Sequence, residues 1–173
     1  NNCDGKNEAE NAALNQTATQ SSTLSHFTNP IAAKAVDGDT RGDFLGAQST
    51  THTNTENNPY WEVDLGEVVD LDSIKLWNRT DCCQERLNDY YIFISENPFT
   101  GNDPSVLNGQ SGVFSTAKHT SGVGDNITHL TNTSGRYVRI QIEGISRVLS
   151  LAEVQVFKCA EIAPTITDCT FYR

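Results

Sequence analysis

Four segments of the chain alternate apolar and polar side chains with the two-residue period of half-buried strands. In "YWEVDLG", Trp61, Val63 and Leu65 share one face while Tyr60, Glu62 and Asp64 share the other. "DSIKLWNR" sets Ile74, Leu76 and Asn78 against Lys75, Trp77 and Arg79. "DYYIFISE" is a dense β-prone run. "RYVRIQIEG" alternates Val138, Ile140 and Ile142 with Arg139, Gln141 and Glu143, and "AEVQVFK" turns Val154 and Val156 one way. The connectors, such as "ENPFTGNDPS" and "TSGVGDNITHLTNTSG", are rich in Gly, Asn, Pro and Ser, the residues that punctuate turns. No stretch holds a long helical period. Short strands, turn signals and little helix predict an all-β, antiparallel sandwich or barrel.

A chain of 173 residues suits one domain. Residues 1–10 form a polar lead-in, 11–158 the sandwich, and 159–173 a tail carrying Cys159 and Cys169 after the last strand. Domain termini tend to lie close together, so Cys3 could pair with Cys159 or Cys169, and the sequence leaves both open. The formal net charge is −10, from 22 acidic and 12 basic residues. That disfavours nucleic acid or an anionic membrane as partner. No apolar run reaches the roughly 20 residues of a membrane span, so membrane insertion is not expected.

Five cysteines, four N-x-Ser/Thr sequons (Asn15, Asn78, Asn126, Asn132) and many Thr, Asn and Ser residues fit a secreted protein. The lack of methionine suggests a processed chain or excised fragment. No C-x-x-C pair exists to suggest a zinc or thioredoxin-like site.

The densest chemistry lies in "NRTDCCQERL", where Cys82 and Cys83 sit between Arg79 and Arg86 with Asp81 beside them. The segment leaves a predicted strand at Trp77–Arg79, which places it on a rim loop, where binding residues are commonly carried. With the other cysteines near the termini, pairing Cys82 with Cys83 is economical, although buried thiols or separate partners are open alternatives. A vicinal disulfide offers a rigid, polarizable sulfur surface, and guanidinium groups offer fixed donors. Oxidised cysteine cannot attack and arginine cannot take a proton, so the cluster is a poor catalyst. It suits a small rigid molecule with one apolar face and several hydroxyls, such as a sugar. Asp81 can hold a neighbouring guanidinium by a charge-assisted bond. No credible nucleophile–base pair is found, and no enzyme is predicted.

The spacing from His52 to Arg79, then to Asp81 and Arg86, is H-x26-R-x-D-x4-R. With "ALNQTATQSS", "AVDGD", "PYWEVDLG", "LWNRTDCCQERL", "GRYVRIQI" and "LSLAEVQVF" in the same order, it resembles the F-type lectins, or fucolectins, over about residues 12–157. The resemblance implies an eight-stranded jelly roll of the F-type lectin/discoidin-like kind that binds L-fucose in a shallow pocket. His52, Arg79 and Arg86 would then hydrogen-bond the ring oxygen and hydroxyls. A Cys82–Cys83 disulfide would pack on the sugar ring, and Phe44 or Leu45 would receive the 6-deoxy methyl group. Leu24, with His26 and Phe27 in "TLSHFTNP", would extend the rim, and the histidines other than His52, namely His26, His119 and His129, have no partner in the sequence.

"KAVDGDTRGDF" crowds Asp37, Asp39 and Asp43 beside glycines, and hard cations take six to eight oxygen ligands. An EF-hand does not fit, because counting from Asp37 the twelfth position is Gln48. The lectin resemblance implies structural Ca²⁺ held by Asp37, Asp39, Ser49 and Glu153 with the carbonyls of Lys34 and Ala152. The tripeptide RGD at 41–43 falls inside this loop. Glycosylation at Asn78 would set a glycan beside Arg79, on the opposite face. The expected function is a secreted, non-catalytic, calcium-containing lectin for fucosylated glycans, with homo-oligomerisation supplying avidity. The alternatives are a fucose-binding module of a larger glycosidase or toxin, and a discoidin-like module for phospholipid or protein.

Overall fold

A computed structural model describes residues 10–159. Its strands are β1 (Glu10–Asn11), β2 (Thr17–Gln20), β3 (Tyr60–Asn78), β4 (Tyr90–Ser95), β5 (Val113–Ser115), β6 (Asn126–Ile142) and β7 (Leu151–Lys158). They form one antiparallel sheet in the order β1-β7-β3-β6-β4-β5, with β2 added to β3. The sheet curls over a single main core, the antiparallel sandwich that the alternation predicts.

The predicted inward residues are the core. Trp61, Val63, Ile74, Leu76, Val138, Ile140, Ile142, Val154 and Val156 are fully buried, joined by Leu71 and Leu151. β4 is buried on both faces. Tyr90, Ile92 and Ile94 enter the main core, while Tyr91 and Phe93 meet Leu107 in a second cluster, so this strand shows no alternation in sequence.

Two predicted strands, around Trp61 and around Ile74, are halves of the 19-residue β3. Pairing with β6 slips in register between Asp64 and Val69 but resumes. Gly66, at φ +83°, lets the chain bend there without ending the strand. The described residues therefore hold seven strands, not the eight implied by the resemblance. The "NDPS" connector makes one helical turn, α1 (Pro104–Leu107), because Asp103 Oδ1 accepts the Ser105 N–H at 2.9 Å and Pro104 opens the helix.

Cys82 and Cys83 are disulfide-bonded. Cys159 is also in a disulfide. Cys3, the partner considered for it, and Cys169, the alternative partner of Cys3, lie outside the described residues, as do most of the predicted lead-in and tail.

Candidate functional site: an arginine–histidine cluster on the sandwich rim

His52 lies in a buried polar segment, with Ser49, Thr50, Thr51 and Thr53 all at most 3% exposed. This segment lies along the start of β7. Thr51 N–H donates to the Leu151 carbonyl and Thr53 N–H to that of Leu149, at 2.9 and 3.0 Å. The Thr51 and Thr53 hydroxyls accept the return bonds from Leu151 N–H and Leu149 N–H, each 3.0 Å. Threonine oxygens thus complete the pairing that a regular strand would make with carbonyls, and His52 projects from a fixed backbone. The Leu24 N–H donates to the His52 carbonyl at 2.9 Å, which brings the "TLSHF" loop alongside.

The His52 ring meets the Thr53 carbonyl through Nδ1 at 2.6 Å. A carbonyl only accepts, so Nδ1 carries the proton and Nε2 of the neutral ring is an acceptor. Burial lowers the His52 pKa below its usual 6.5, the Thr53 bond opposes this, and the nearby charges of Arg79 and Arg86 lower it further. The Phe44 ring packs on His52 at 5.1 Å and on His26 at 4.9 Å. The Arg79 guanidinium also lies over the Phe44 ring, 4.3 Å from its centroid.

Arg79 is only 7% exposed. Its Nε and Nη2 donate to the two carboxylate oxygens of Asp81 at 2.6 and 3.2 Å. The backbone N–H dipoles of Phe44 and Leu45 also favour the ionised form of Asp81. Burial works against its ionisation, but the Arg79 bond and charge outweigh that and hold the carboxyl below its usual pKa. Asp81 therefore holds Arg79, as its position in sequence suggests. Phe44, only 5% exposed, is the platform beneath Arg79, whereas Leu45 is 55% and Phe27 72% exposed. Of the two methyl-niche candidates, only Leu45 offers open apolar surface.

Cys83 adopts a left-handed conformation, φ 62°, that starts the tight turn Gln84–Arg86. The turn lifts Arg86 into solvent, within electrostatic range of His52. The nine residues singled out for sugar contact thus lie in three adjoining loops. Two clefts, of ≈ 330 and ≈ 450 Å³, lie away from them, near Glu10 and Lys158 and near Phe114 and Thr133.

Three features were not visible in the sequence. His26, expected to lack a partner, is stacked on Phe44 and bonds the Thr28 hydroxyl at 3.0 Å. His129 bonds the hydroxyl of buried Tyr90 at 2.8 Å, and His119 packs on the same ring at 5.0 Å, so both finish the core. Asn78 is 2% exposed, and its Nδ2 donates to the carbonyls of Gln84, Val123 and Gly124. Its Oδ1 accepts the Arg79 N–H at 2.8 Å. In the folded chain this amide cannot carry a glycan, and it instead secures the base of the arginine loop.

The RGD segment is also structural. Arg41 is paired with Asp39 at 2.6 Å, and Asp43 Oδ1 accepts the Leu45 and Gly46 N–H groups. Gly42, at φ +70°, is pressed against β3, where an added Cβ would lie 2.6 Å from the Asn78 carbonyl oxygen. Gly42→Ala is expected to cost about 2 kcal/mol and lower the melting temperature by about 4–8 °C, measured by calorimetry.

The residues proposed for Ca²⁺ gather beside this loop. Glu153 is fully buried; its Oε1 accepts the Gly38 N–H at 3.1 Å, and its Oε2 has no partner among the described residues. Burial pushes its carboxyl up to about 7, and the negative charges of Asp37 and Asp39 add to the rise. Asp39 is shared with Arg41, and the Lys34 ammonium bonds the Thr28 and Gln48 carbonyls. Among the described residues no three His, Cys, Asp or Glu side chains form a metal-holding group by themselves. A cation here would draw on backbone and hydroxyl oxygens as well, which suits a hard ion of high coordination number. The orphaned, buried Glu153 oxygen fits such an ion.

Residues 34–140 match the family model described as NedA-like, galactose-binding domain. The chain is 39% identical over 89 residues to a fucolectin of Anguilla anguilla, covering 50% of this chain and 56% of that protein's length. It is 35% identical over 156 residues to fucolectin-4 of Anguilla japonica, covering 85% and 79%. Among solved structures, the lectin domain of lectinolysin complexed with Lewis B antigen superposes with a TM-score of 0.71 at 31% identity, covering 89% of this chain and all of that one. The fold and the family model thus define a galactose-binding-like domain, a class of binding modules. Within that class, the chain belongs to the fucolectin, or F-type lectin, family, and its domain is not an enzyme.

Proposed function

We propose that this domain is an extracellular lectin that binds terminal L-fucose on fucosylated glycans. The observation that carries this is the assembly of His52, Arg79, Asp81, Arg86 and the Cys82–Cys83 disulfide on one rim, in a chain related to fucolectins. Arg79, its Nε and Nη2 committed to Asp81, keeps Nη1 for a sugar oxygen, and Arg86 brings further donors from solvent. His52 Nε2 accepts a hydroxyl proton. The disulfide packs against the apolar face of the ring, and Leu45 faces the methyl group. The related lectinolysin domain was solved with Lewis B antigen, which supports an oligosaccharide lying across this rim towards Phe27 and Leu24.

Fucose has only about eleven heavy atoms. At roughly −0.5 kcal/mol per atom its affinity falls near the 0.1 mM range, so several sites, from oligomers or tandem domains, would supply avidity. Calcium held by Glu153, Asp37, Asp39, Ser49 and the carbonyls of Lys34 and Ala152 would supply positive charge to the buried carboxylate and pin the loop that leads to His52. The cysteine pair supports an extracellular setting.

Retention on immobilised fucose, with elution by free L-fucose but not D-galactose, tests this reading; flow-through of the folded protein would refute it. Affinity should also depend on pH through His52. Its pKa is depressed, so the neutral acceptor form persists from pH 8 to below 6.5. Affinity is expected to be level over that range and to fall as pH drops through the depressed pKa, as followed by calorimetric titration. An affinity that rises on acidification would contradict the acceptor role.

A further inference from the structure

The two arginines of the site are prepared in different ways. Arg79 is fixed through its side chain, by Asp81 and the Phe44 ring. The Arg86 side chain is exposed and has no hydrogen bond or ion pair with any described residue. Its aim depends on the backbone of the turn that carries it. That turn is short: Arg86 N–H donates to the Cys83 carbonyl at 3.0 Å and Leu87 N–H to that of Gln84 at 3.3 Å. A second residue grips it from outside.

Arg147 Nη2 donates to the carbonyls of Arg86 and Asn88 at 3.3 and 3.2 Å, and also to Asn88 Oδ1. Its Nη1 donates to the Glu143 carbonyl at 3.3 Å and lies 3.6 Å from Asp89 Oδ2. One planar guanidinium thus spans the end of the Arg86 turn and the loop after β6, with a geometry that lysine cannot reproduce. The backbone of Arg147 is fixed too. Its N–H donates to the Glu56 carbonyl at 2.7 Å and its carbonyl accepts the Glu56 N–H at 2.9 Å. Glu56 follows His52 by four residues, and its carboxylate accepts the Ser21 and Ser22 hydroxyls, both at 2.6 Å. Gly144 makes room for the arm, since a Cβ there would meet Arg147 Nη1 at 3.1 Å and Cγ at 3.2 Å.

We propose that Arg147 is a positioning residue for sugar recognition, locking the Arg86 turn to the segment that carries His52. This rests on the fucose reading of the site. Arg147 does not touch the sugar; it sets the distance between two groups that do. Its removal frees the Arg86 carbonyl and Asn88 and lets the Arg86 side chain sample directions that miss the hydroxyls.

The test titrates L-fucose into wild type, Arg147→Ala, Arg147→Lys, Arg86→Lys and the double variant Arg147→Ala/Arg86→Lys. Arg147→Ala is expected to weaken fucose binding about tenfold, Arg147→Lys less so, and the loss should largely vanish in the Arg86→Lys background, as expected for coupled neighbours. Faster amide exchange at Arg86, Leu87 and Asn88 in Arg147→Ala should accompany it. If Arg147→Ala does not fold, Asn88→Ala removes an acceptor of the same clamp while leaving the backbone bridge to Glu56. It should give a several-fold loss, again suppressed by Arg86→Lys. Wild-type affinity in a folded Arg147→Ala, or an equal loss in both Arg86 backgrounds, overturns the proposal alone. Absence of fucose binding by the wild type overturns the lectin reading on which it rests, and the proposal with it.

Discussion

Arg79→Ala is expected to abolish measurable fucose binding while the domain stays folded. Arg79 is nearly buried, bonded to Asp81 and stacked on Phe44, so little freedom remains to be lost when it meets a sugar oxygen. Removing a charged, preorganised donor of this kind costs about 3 kcal/mol or more, a factor of at least about 100 in affinity. From a starting Kd near the 0.1 mM range, that places binding beyond calorimetric detection. The fold should survive, because Thr80 N–H still bonds the Gly42 carbonyl and Asn78 still ties the strand end to Val123. Circular dichroism and a melting curve check the fold, and titration checks the affinity. A folded variant with wild-type affinity would remove Arg79 from the site.

The second large effect is expected from the buried carboxylate. Glu153 has a buried oxygen with no partner among the described residues and a pKa raised to about 7. Near neutral pH its ionised form is costly unless a cation compensates it. A bound Ca²⁺ at a hundred times its Kd would stabilise the fold by about 2.7 kcal/mol. The melting temperature in calcium should exceed that in chelator by about 5–10 °C for a domain of this size. Glu153→Gln is expected to remove that difference. Identical melting curves with calcium and with chelator would contradict a calcium site here.

Much of the architecture was legible because it depends on local alternation. Val138, Ile140 and Ile142 read as inward residues from period alone, and all are buried. Continuity was not legible: whether "YWEVDLG" and "DSIKLWNR" are two strands or one depends on how β6 follows the bend at Gly66, a long-range property. The arginine–aspartate pair could be read from sequence because Arg79 and Asp81 are only two residues apart. Arg147 could not, since it meets Arg86 across 61 residues and "GISRVLS" has no spacing that points to the site. Asn78 shows a different limit. Its N-R-T triplet spells a glycosylation sequon, yet the sandwich buries the amide among three carbonyls, and only burial separates the two roles.

The most direct test of the central claim is an isothermal titration of the calcium-loaded protein with L-fucose, with D-galactose as control. A saturable isotherm for fucose with one site per chain and a Kd near the 0.1 mM range, and no comparable heat for galactose, is the predicted result. No fucose heat from a folded protein whose His52, Arg79 and Arg86 are intact would contradict it.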